Sequence, residues 1–300
     1  LETLHCSQPL DICPDVPLNA MMSVLTIQSR VASGYVGNAA AVPALQALGV
    51  EAVAVDTAHL SNHPAHGSFE GGPASTTAVA ALLRGVETKH SRHGFAVAMT
   101  GYLAETKTGR AALNAIRRLK SAGHCGLYCL DPVSGDKGRV YVDDGLIDQF
   151  RDDALPMADI VVPNAFESGL LLDTDAPTAE TAPEYLARLR SHGPARAVIT
   201  GIDIPNGVAT IAGDDDGVWL VETERIDAPD SGAGDVFAAL LVGHLVGGTD
   251  FPTAVARAVA SVRDVLVLTD RLKKTDLALV EGFDFLSRPK TNVAPTRIDR

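Results

Sequence analysis

Cysteine is scarce in this sequence, which limits how the fold can be held together. Four cysteines in 300 residues are too few for a disulfide framework, so we expect reduced, buried thiols. Cys125 and Cys129 do not predict zinc either, because no CxxC or HxxxH pair supplies the two further ligands of a structural site. The two other cysteines, Cys6 and Cys13, precede the first predicted strand.

Basic side chains are also few. The sequence has 25 Lys and Arg against 37 Asp and Glu, for a formal net charge of -12. A protein of this balance lacks the basic footprint that drives binding to phosphate backbones, so no nucleic-acid partner is expected. Chemistry on a small molecule is the better hypothesis.

Long apolar runs are missing as well. No stretch approaches the length that crosses a bilayer, so no membrane partner is expected. The first 29 residues contain neither Lys nor Arg, which argues against a secretory signal or a transit peptide. We therefore predict a cytoplasmic protein.

What the sequence does have is a regular alternation of short apolar runs and helical patterns. This alternation predicts an α/β three-layer sandwich, with a mostly parallel central sheet flanked by helices. The predicted strands are 23–27, 50–55, 95–99, 125–130, 159–163 and 197–200. The predicted helices are 38–48, 75–90, 105–122, 145–154, 166–172 and 179–191.

The pattern changes towards the end of the chain. Two apolar runs, 207–213 and 217–223, predict an antiparallel hairpin at the sheet edge. Two long helices, 233–247 and 252–268, are expected after it, the second beginning at Pro252. Because no linker divides the chain, we predict one domain over 21–300, preceded by an irregular extension at 1–20.

The stretch DSGAGDVF begins the first of these two helices with almost no side chains. Gly232, Ala233 and Gly234 let backbone N–H groups approach a ligand, and the positive end of the helix dipole adds to them, so we predict an anion hole suited to phosphate. Asp235 stands where it could accept the proton of an attacking hydroxyl. The alternative is that Asp235 only complements the helix dipole.

Other polar residues follow predicted strands, where α/β sheets bind ligands. Ser29 ends the first strand and is a candidate substrate contact. Asp131, Asn164 and Glu167 carry the hard oxygen ligands that Mg²⁺ accepts, although a turn residue and a helix-capping box explain them equally well. His63 belongs to a histidine-rich loop whose Pro64 breaks metal-ligand spacing, so a polar loop over a pocket is favoured over a metal site.

Six motifs stand in one order along the chain: IQSRVASGYVGN (27–38), SNH (61–63), TGY (100–102), DPVSGD (131–136), PNAFE (163–167) and GAGD (232–235). Together they resemble the pyridoxal kinases of the ribokinase superfamily. The resemblance implies a ribokinase-like homodimer that transfers the γ-phosphate of ATP to the 5′-hydroxyl of pyridoxal, pyridoxine or pyridoxamine. It also implies Mg²⁺ and a monovalent cation such as K⁺ as cofactors.

The resemblance further implies roles for individual residues. Asp235 would be the base, beside an anion hole of Gly232, Ala233 and Gly234. The vitamin would contact Ser29, His63 and Tyr102. The nucleotide would be bound by Asp131, Asp136, Tyr141, Asn164 and Thr200, and the metal by Asp131 and Glu167.

Some positions depart from the family pattern. Leu130 stands where cysteine is common, which puts covalent capture of the aldehyde in doubt, and Leu60, Pro64 and Gly201 replace other common residues. Two alternatives therefore stay open: a hydroxymethylpyrimidine kinase of thiamine synthesis, and a vitamin-binding protein without turnover. The preferred vitamer, the monovalent cation and a lid role for residues 56–72 stay open too.

Overall fold

The computed structural model describes residues 23 to 298. The expected extension at 1–20, with Cys6 and Cys13, lies outside the described residues. Within them, Cys125 and Cys129 are buried free thiols, as expected.

Twelve strands are described between residues 23 and 298. They are β1 (Ser23–Val31), β2 (Glu51–Leu60), β3 (Gly71–Pro73), β4 (Phe95–Thr100), β5 (Cys125–Leu130), β6 (Gly135–Asp136), β7 (Arg139–Val140), β8 (Ile160–Val161), β9 (Arg196–Ile204), β10 (Gly207–Gly213), β11 (Val218–Thr223) and β12 (Thr296–Arg297). The helices are α1 (Asn38–Ala47), α2 (Thr76–Lys89), α3 (Thr106–Ser121), α4 (Asp144–Gln149), α5 (Ala165–Leu172), α6 (Ala182–Ser191), α7 (Ala233–Val246), α8 (Phe251–Leu272) and α9 (Phe283–Ser287).

Ten of these strands form one sheet in the order β12-β11-β10-β9-β8-β5-β4-β1-β2-β3. The six strands from β9 to β2 in this order run parallel to one another, whereas β10 and β3 pair antiparallel on either side of them. All six residues of β4 are buried, as a strand covered by helices on both faces requires. The predicted α/β fold with a mostly parallel sheet is therefore confirmed.

Successive side chains of a central strand pack in two separate hydrophobic clusters. Val24 packs in the cluster that contains Leu240 of α7 and Val255 of α8. Its neighbour Leu25 packs in the other cluster, with Leu113 of α3. Because side chains alternate along a strand, the two cores lie on opposite faces of the sheet and make the outer helix layers.

The C-terminal part of the sheet differs from the prediction in two respects. The hairpin of β10 and β11 is antiparallel as predicted, but it is not the edge, because β12 pairs outside β11. Strand β9 extends beyond the predicted residue 200 to Ile204 and turns through Pro205 and Asn206 into β10. Proline and asparagine are typical turn residues, a signal that the apolar pattern alone does not contain.

Helix α8 also runs further than predicted. Asp250 caps it by accepting the N–H of Thr253 at 3.1 Å, and Pro252 lies in its first turn as predicted. It continues to Leu272, although its last buried residue is Thr269. None of the helices in the described part of the chain combines the length and apolarity needed to cross a bilayer. That residues 21–300 form one domain stays a prediction.

Candidate active site

The predicted site residues gather where the parallel strands end. Asp131 directly follows β5, and Thr200 lies in β9 beside Asn164, with which it makes a β-bridge. Ser29 lies near the end of β1 and is buried. The carboxyl ends of parallel strands meet at one sheet edge, so these residues face a common region of the molecule.

The predicted anion hole, residues 232–234, is called the anion loop below. It lies against residues 33–37, which lead into α1. Gly232 has a φ of 91°, and a Cβ there would lie 1.8 Å from the carbonyl oxygen of Tyr35, so only glycine fits. A Cβ on Gly234 would meet nothing within 4 Å, which leaves open space at the start of α7. The N–H of Ala233 donates to the carbonyl of Asp230 at 2.9 Å. Of the three predicted donors, Ala233 is therefore already engaged within the turn.

Asp235 lies in the first turn of α7, partly buried. Burial raises the pKa of its carboxyl group to about 6, although a hydrogen bond from the N–H of Gly37 opposes the shift. Its place in the first turn of α7 is also compatible with the alternative that Asp235 complements the helix dipole. A carboxylate in this range can take up and release a proton near neutral pH.

Asp131 and Glu167 complete an acidic cluster with Asp235. Burial raises the pKa of Asp131 well above its usual value, and the negative charges of Glu167 and Asp235 raise it further. The phenol of Tyr141 also faces this cluster: its pKa is raised by burial first and then by Glu167 and Asp131. Groups from four different chain segments therefore influence one another electrostatically.

Glu167 is committed to backbone contacts. Its Oε1 accepts the N–H of Ser134 at 2.9 Å and that of Gly135 at 3.5 Å, and its Oε2 accepts the N–H of Asn164 at 2.9 Å. Asn164 in turn accepts the N–H of Glu167, so the predicted capping box is confirmed. Burial nevertheless raises the pKa of Glu167 to about 7. Among the described residues, Oε2 accepts a single hydrogen bond and keeps a lone pair that a metal ion or its water could use.

A lysine that the motifs did not single out lies beside the anion loop. Lys137, at the turn between β6 and β7, has its Nζ 2.9 Å from Oδ2 of Asp230 and 3.6 Å from Oδ2 of Asp136. The bond to Asp230 raises the pKa of Lys137. The exposed Asp136 thus joins a charged group at the rim of the cleft. The β6–β7 hairpin was not predicted, because two-residue strands carry no periodicity.

On the expected vitamin side, Ser29 lies close to the start of α1. A Cβ on Gly37 would lie 2.7 Å from the Ser29 hydroxyl, so the two segments are in contact. Burial, followed by the charge of His66, lowers the pKa of His63. Burial raises the pKa of Tyr102, and Asp143 adds to the shift.

The histidine-rich loop contains a short 3₁₀ turn over Pro64–His66. Nδ1 of His63 accepts the N–H of Ala65 at 3.3 Å, so that nitrogen is bonded within the loop. Across residues 23 to 298, no three His, Cys, Asp or Glu side chains are placed to hold a metal ion. That this segment is a polar loop over a pocket stays a prediction.

A parallel α/β sheet with an open anion loop and an adjacent carboxylate at its carboxyl edge defines a phosphotransferase acting on a small molecule. Comparison with known proteins narrows this class. Residues 32–277 match the family model described as phosphomethylpyrimidine kinase. The chain belongs to that family of kinases.

The relatives give a more specific picture. A pyridoxal kinase of Leifsonia xyli subsp. xyli is 34% identical over 282 residues, covering 92% of this chain and all of the relative. The pyridoxal kinase of Leishmania donovani, solved with ADP and pyridoxine, is 26% identical, with a TM-score of 0.85 over 93% of this chain and 99% of that chain. The structure of the same enzyme with ADP and pyridoxamine is also 26% identical in sequence. Its TM-score is 0.84, over 93% of this chain and 100% of that chain. The resemblance to pyridoxal kinases is confirmed.

Proposed function

We propose that this chain transfers the γ-phosphate of ATP to the 5′-hydroxyl of pyridoxal, pyridoxine or pyridoxamine. The observation that carries the proposal is the position of Asp235, at the start of α7 and next to the open space beside Gly234. A phosphoryl group at that loop would lie within reach of the carboxylate. The choice of substrates is supported by the pyridoxal kinase relatives. One of them was solved with ADP and pyridoxine and, in a separate structure, with ADP and pyridoxamine.

Asp235 is the proposed catalytic base. With a pKa of about 6 it is mostly ionised at neutral pH, and it can accept the proton of the 5′-hydroxyl as the oxygen attacks phosphorus. The backbone of the anion loop, Gly232 to Gly234, is proposed to stabilise the phosphoryl group while it is transferred. Ser29, His63 and Tyr102 are proposed to bind the vitamin.

Asp131, Asp136, Tyr141, Asn164 and Thr200 are proposed to bind the nucleotide. Asp131 fits a divalent cation, since among the described residues no hydrogen bond reaches its buried carboxylate. Glu167 fits through Oε2, which accepts a single N–H among the described residues and could bind the cation directly or through water. Mg²⁺ would neutralise phosphate charge here. K⁺ as a second cofactor and a homodimer remain proposals drawn from the family.

An ATP-coupled assay with pyridoxal, pyridoxine, pyridoxamine and hydroxymethylpyrimidine tests the proposal. We expect turnover with the B6 vitamers and little with hydroxymethylpyrimidine. Preference for hydroxymethylpyrimidine would favour the thiamine-pathway alternative, and no ATP consumption with any compound would favour the binding protein.

Asp235→Asn tests the mechanism. We expect kcat to fall by about 10² to 10⁴, the usual contribution of a general base, with the KM for ATP and the thermal midpoint little changed. The control is Asp270→Asn, which removes an exposed acid that pairs with Lys273 on α8. Near-normal kcat in Asp235→Asn would contradict the proposed base.

A further inference from the structure

An ion pair at the rim of the cleft is not explained by the motifs. Nε2 of His66 lies 3.6 Å from Oδ1 of Asp276, and the two side chains are 32% and 24% exposed. His66 belongs to the segment 61–67, here called the rim loop, which also carries His63. Asp276 follows α8, more than two hundred residues further along the chain.

The base of the rim loop is fixed by its own hydrogen bonds. The N–H of Ser33 donates to the carbonyl of Ser61 at 2.9 Å, and Nδ2 of Asn62 donates to the carbonyl of Ser68 at 2.8 Å. The first bond joins the rim loop to the segment that leaves β1, and the second closes the loop on itself. At the tip, the N–H of His66 donates to the carbonyl of His63 at 3.1 Å, so the two histidines belong to one turn.

Asp276 contacts both segments on the vitamin side. A Cβ on Gly34 would lie 2.5 Å from Oδ1 of Asp276, so the carboxylate packs directly against the glycine backbone. The same oxygen faces His66. One carboxylate therefore connects the tip of the rim loop to the 27–38 segment, which carries Ser29.

His63 lies in the same electrostatic environment. Its pKa is affected by His66, Asp276 and Asp230, the last of which precedes the anion loop. A shift of the rim loop would therefore move His63 relative to both the vitamin side and the phosphate side of the cleft. The position of the loop tip thus bears on substrate binding more than on the chemical step.

We propose that Asp276 is a positioning residue that acts through His66 to hold the rim loop, and with it His63, against the vitamin. This inference rests on the proposed function, since it concerns the same site. The geometric basis is the contact of one carboxylate oxygen of Asp276 with both Nε2 of His66 and the backbone at Gly34. The nearby Lys274 does not compete for this carboxylate, because its Nζ is bound to Glu281.

A double-mutant cycle tests the proposal with Asp276→Asn, His66→Asn and the double variant. At saturating ATP and pH 6.5, we expect each single variant to raise the KM for pyridoxal about two- to fivefold, the range for a partly exposed ion pair. The kcat and the KM for ATP should change little. The double variant should equal either single one, because both remove the same contact.

Equilibrium binding of pyridoxal without ATP supplies a second readout. Its Kd should rise in His66→Asn and in Asp276→Asn by the same factor as the KM for pyridoxal, because the proposed role concerns binding and not the chemical step.

The control is again Asp270→Asn, which removes the ion pair with Lys273 at the end of α8 and leaves the contact between His66 and Asp276 in place. Additive effects in the double variant, or equal changes in the KM for ATP, would mean that Asp276 acts only on folding and would overturn the proposal. His66→Asn alone decides the matter if Asp276→Asn does not fold. A wild type without kinase activity would instead contradict the proposed function.

Discussion

Burial determines the pKa of Asp235, and with it the pH at which this carboxyl group is ionised. The same desolvation that makes this residue costly to ionise gives it a pKa of about 6, close to the pH at which a base is most useful. The hydrogen bond from Gly37 limits the shift, so the carboxylate is still available at neutral pH. Its proposed role as a base therefore depends on the position of the segment that carries Gly37.

This pKa predicts the pH profile of the enzyme. The base works only when ionised, so kcat should fall as the pH drops below about 6 and level off above it. Steady-state rates with saturating pyridoxine from pH 5 to 8 measure the profile. Asp235→Asn should lose this acidic limb in its residual activity. A wild-type kcat that stays constant down to pH 5 would rule out a base with this pKa.

At the scale of an element, the start of α7 contains two glycines that differ in the space around them. Gly232 adopts a left-handed conformation against the Tyr35 carbonyl, whereas Gly234 faces open space. The sequence motif does not distinguish them. Only the packing of the 33–37 segment on α7 shows that the first is required by the fold and that the second leaves room for a ligand.

The two alanine variants should therefore fail in different ways. Gly234→Ala should fold normally yet lose on the order of 10²-fold in kcat, because its methyl group enters the space proposed for the phosphate. Gly232→Ala should unfold at a lower temperature, since its Cβ would overlap the Tyr35 carbonyl oxygen. Thermal melts and kcat measured together separate the two. Full activity in Gly234→Ala would place the phosphate elsewhere.

The loop between β5 and α4 depends on one side chain of α5. Removing Glu167 leaves three backbone N–H groups, those of Ser134, Gly135 and Asn164, without their acceptor. We expect Glu167→Ala to lower the free energy of unfolding by about 2 kcal/mol or more, as measured by urea denaturation. Glu184→Ala removes an exposed first-turn acid of α6 and should cost at most about 1 kcal/mol. Equal losses in the two variants would contradict this anchoring role.

At the scale of the whole molecule, the sheet was predictable and several functional contacts were not. Apolar strands such as β4 are recognisable by their composition, and Asp131 and Asn164 follow such strands closely. Lys137 and Asp276 give no local signal, because each meets its partner across a long stretch of chain. Their roles depend on tertiary packing, which a motif in one segment cannot contain.

The charge of the whole molecule leads to a last prediction. The formal net charge of -12 repels ATP, and the nearest carboxylates of the cleft have the same sign, with Lys137 opposing them. Raising the ionic strength from about 0.01 to 0.1 M shortens the screening length from about 30 to about 10 Å. With tetramethylammonium chloride and constant Mg²⁺, the KM for ATP should therefore fall, while the KM for uncharged pyridoxal stays nearly constant. Replacing tetramethylammonium by K⁺ at equal ionic strength isolates any specific activation. A KM for ATP that rises with salt would mean that the local field of Lys137 outweighs the acidic surroundings.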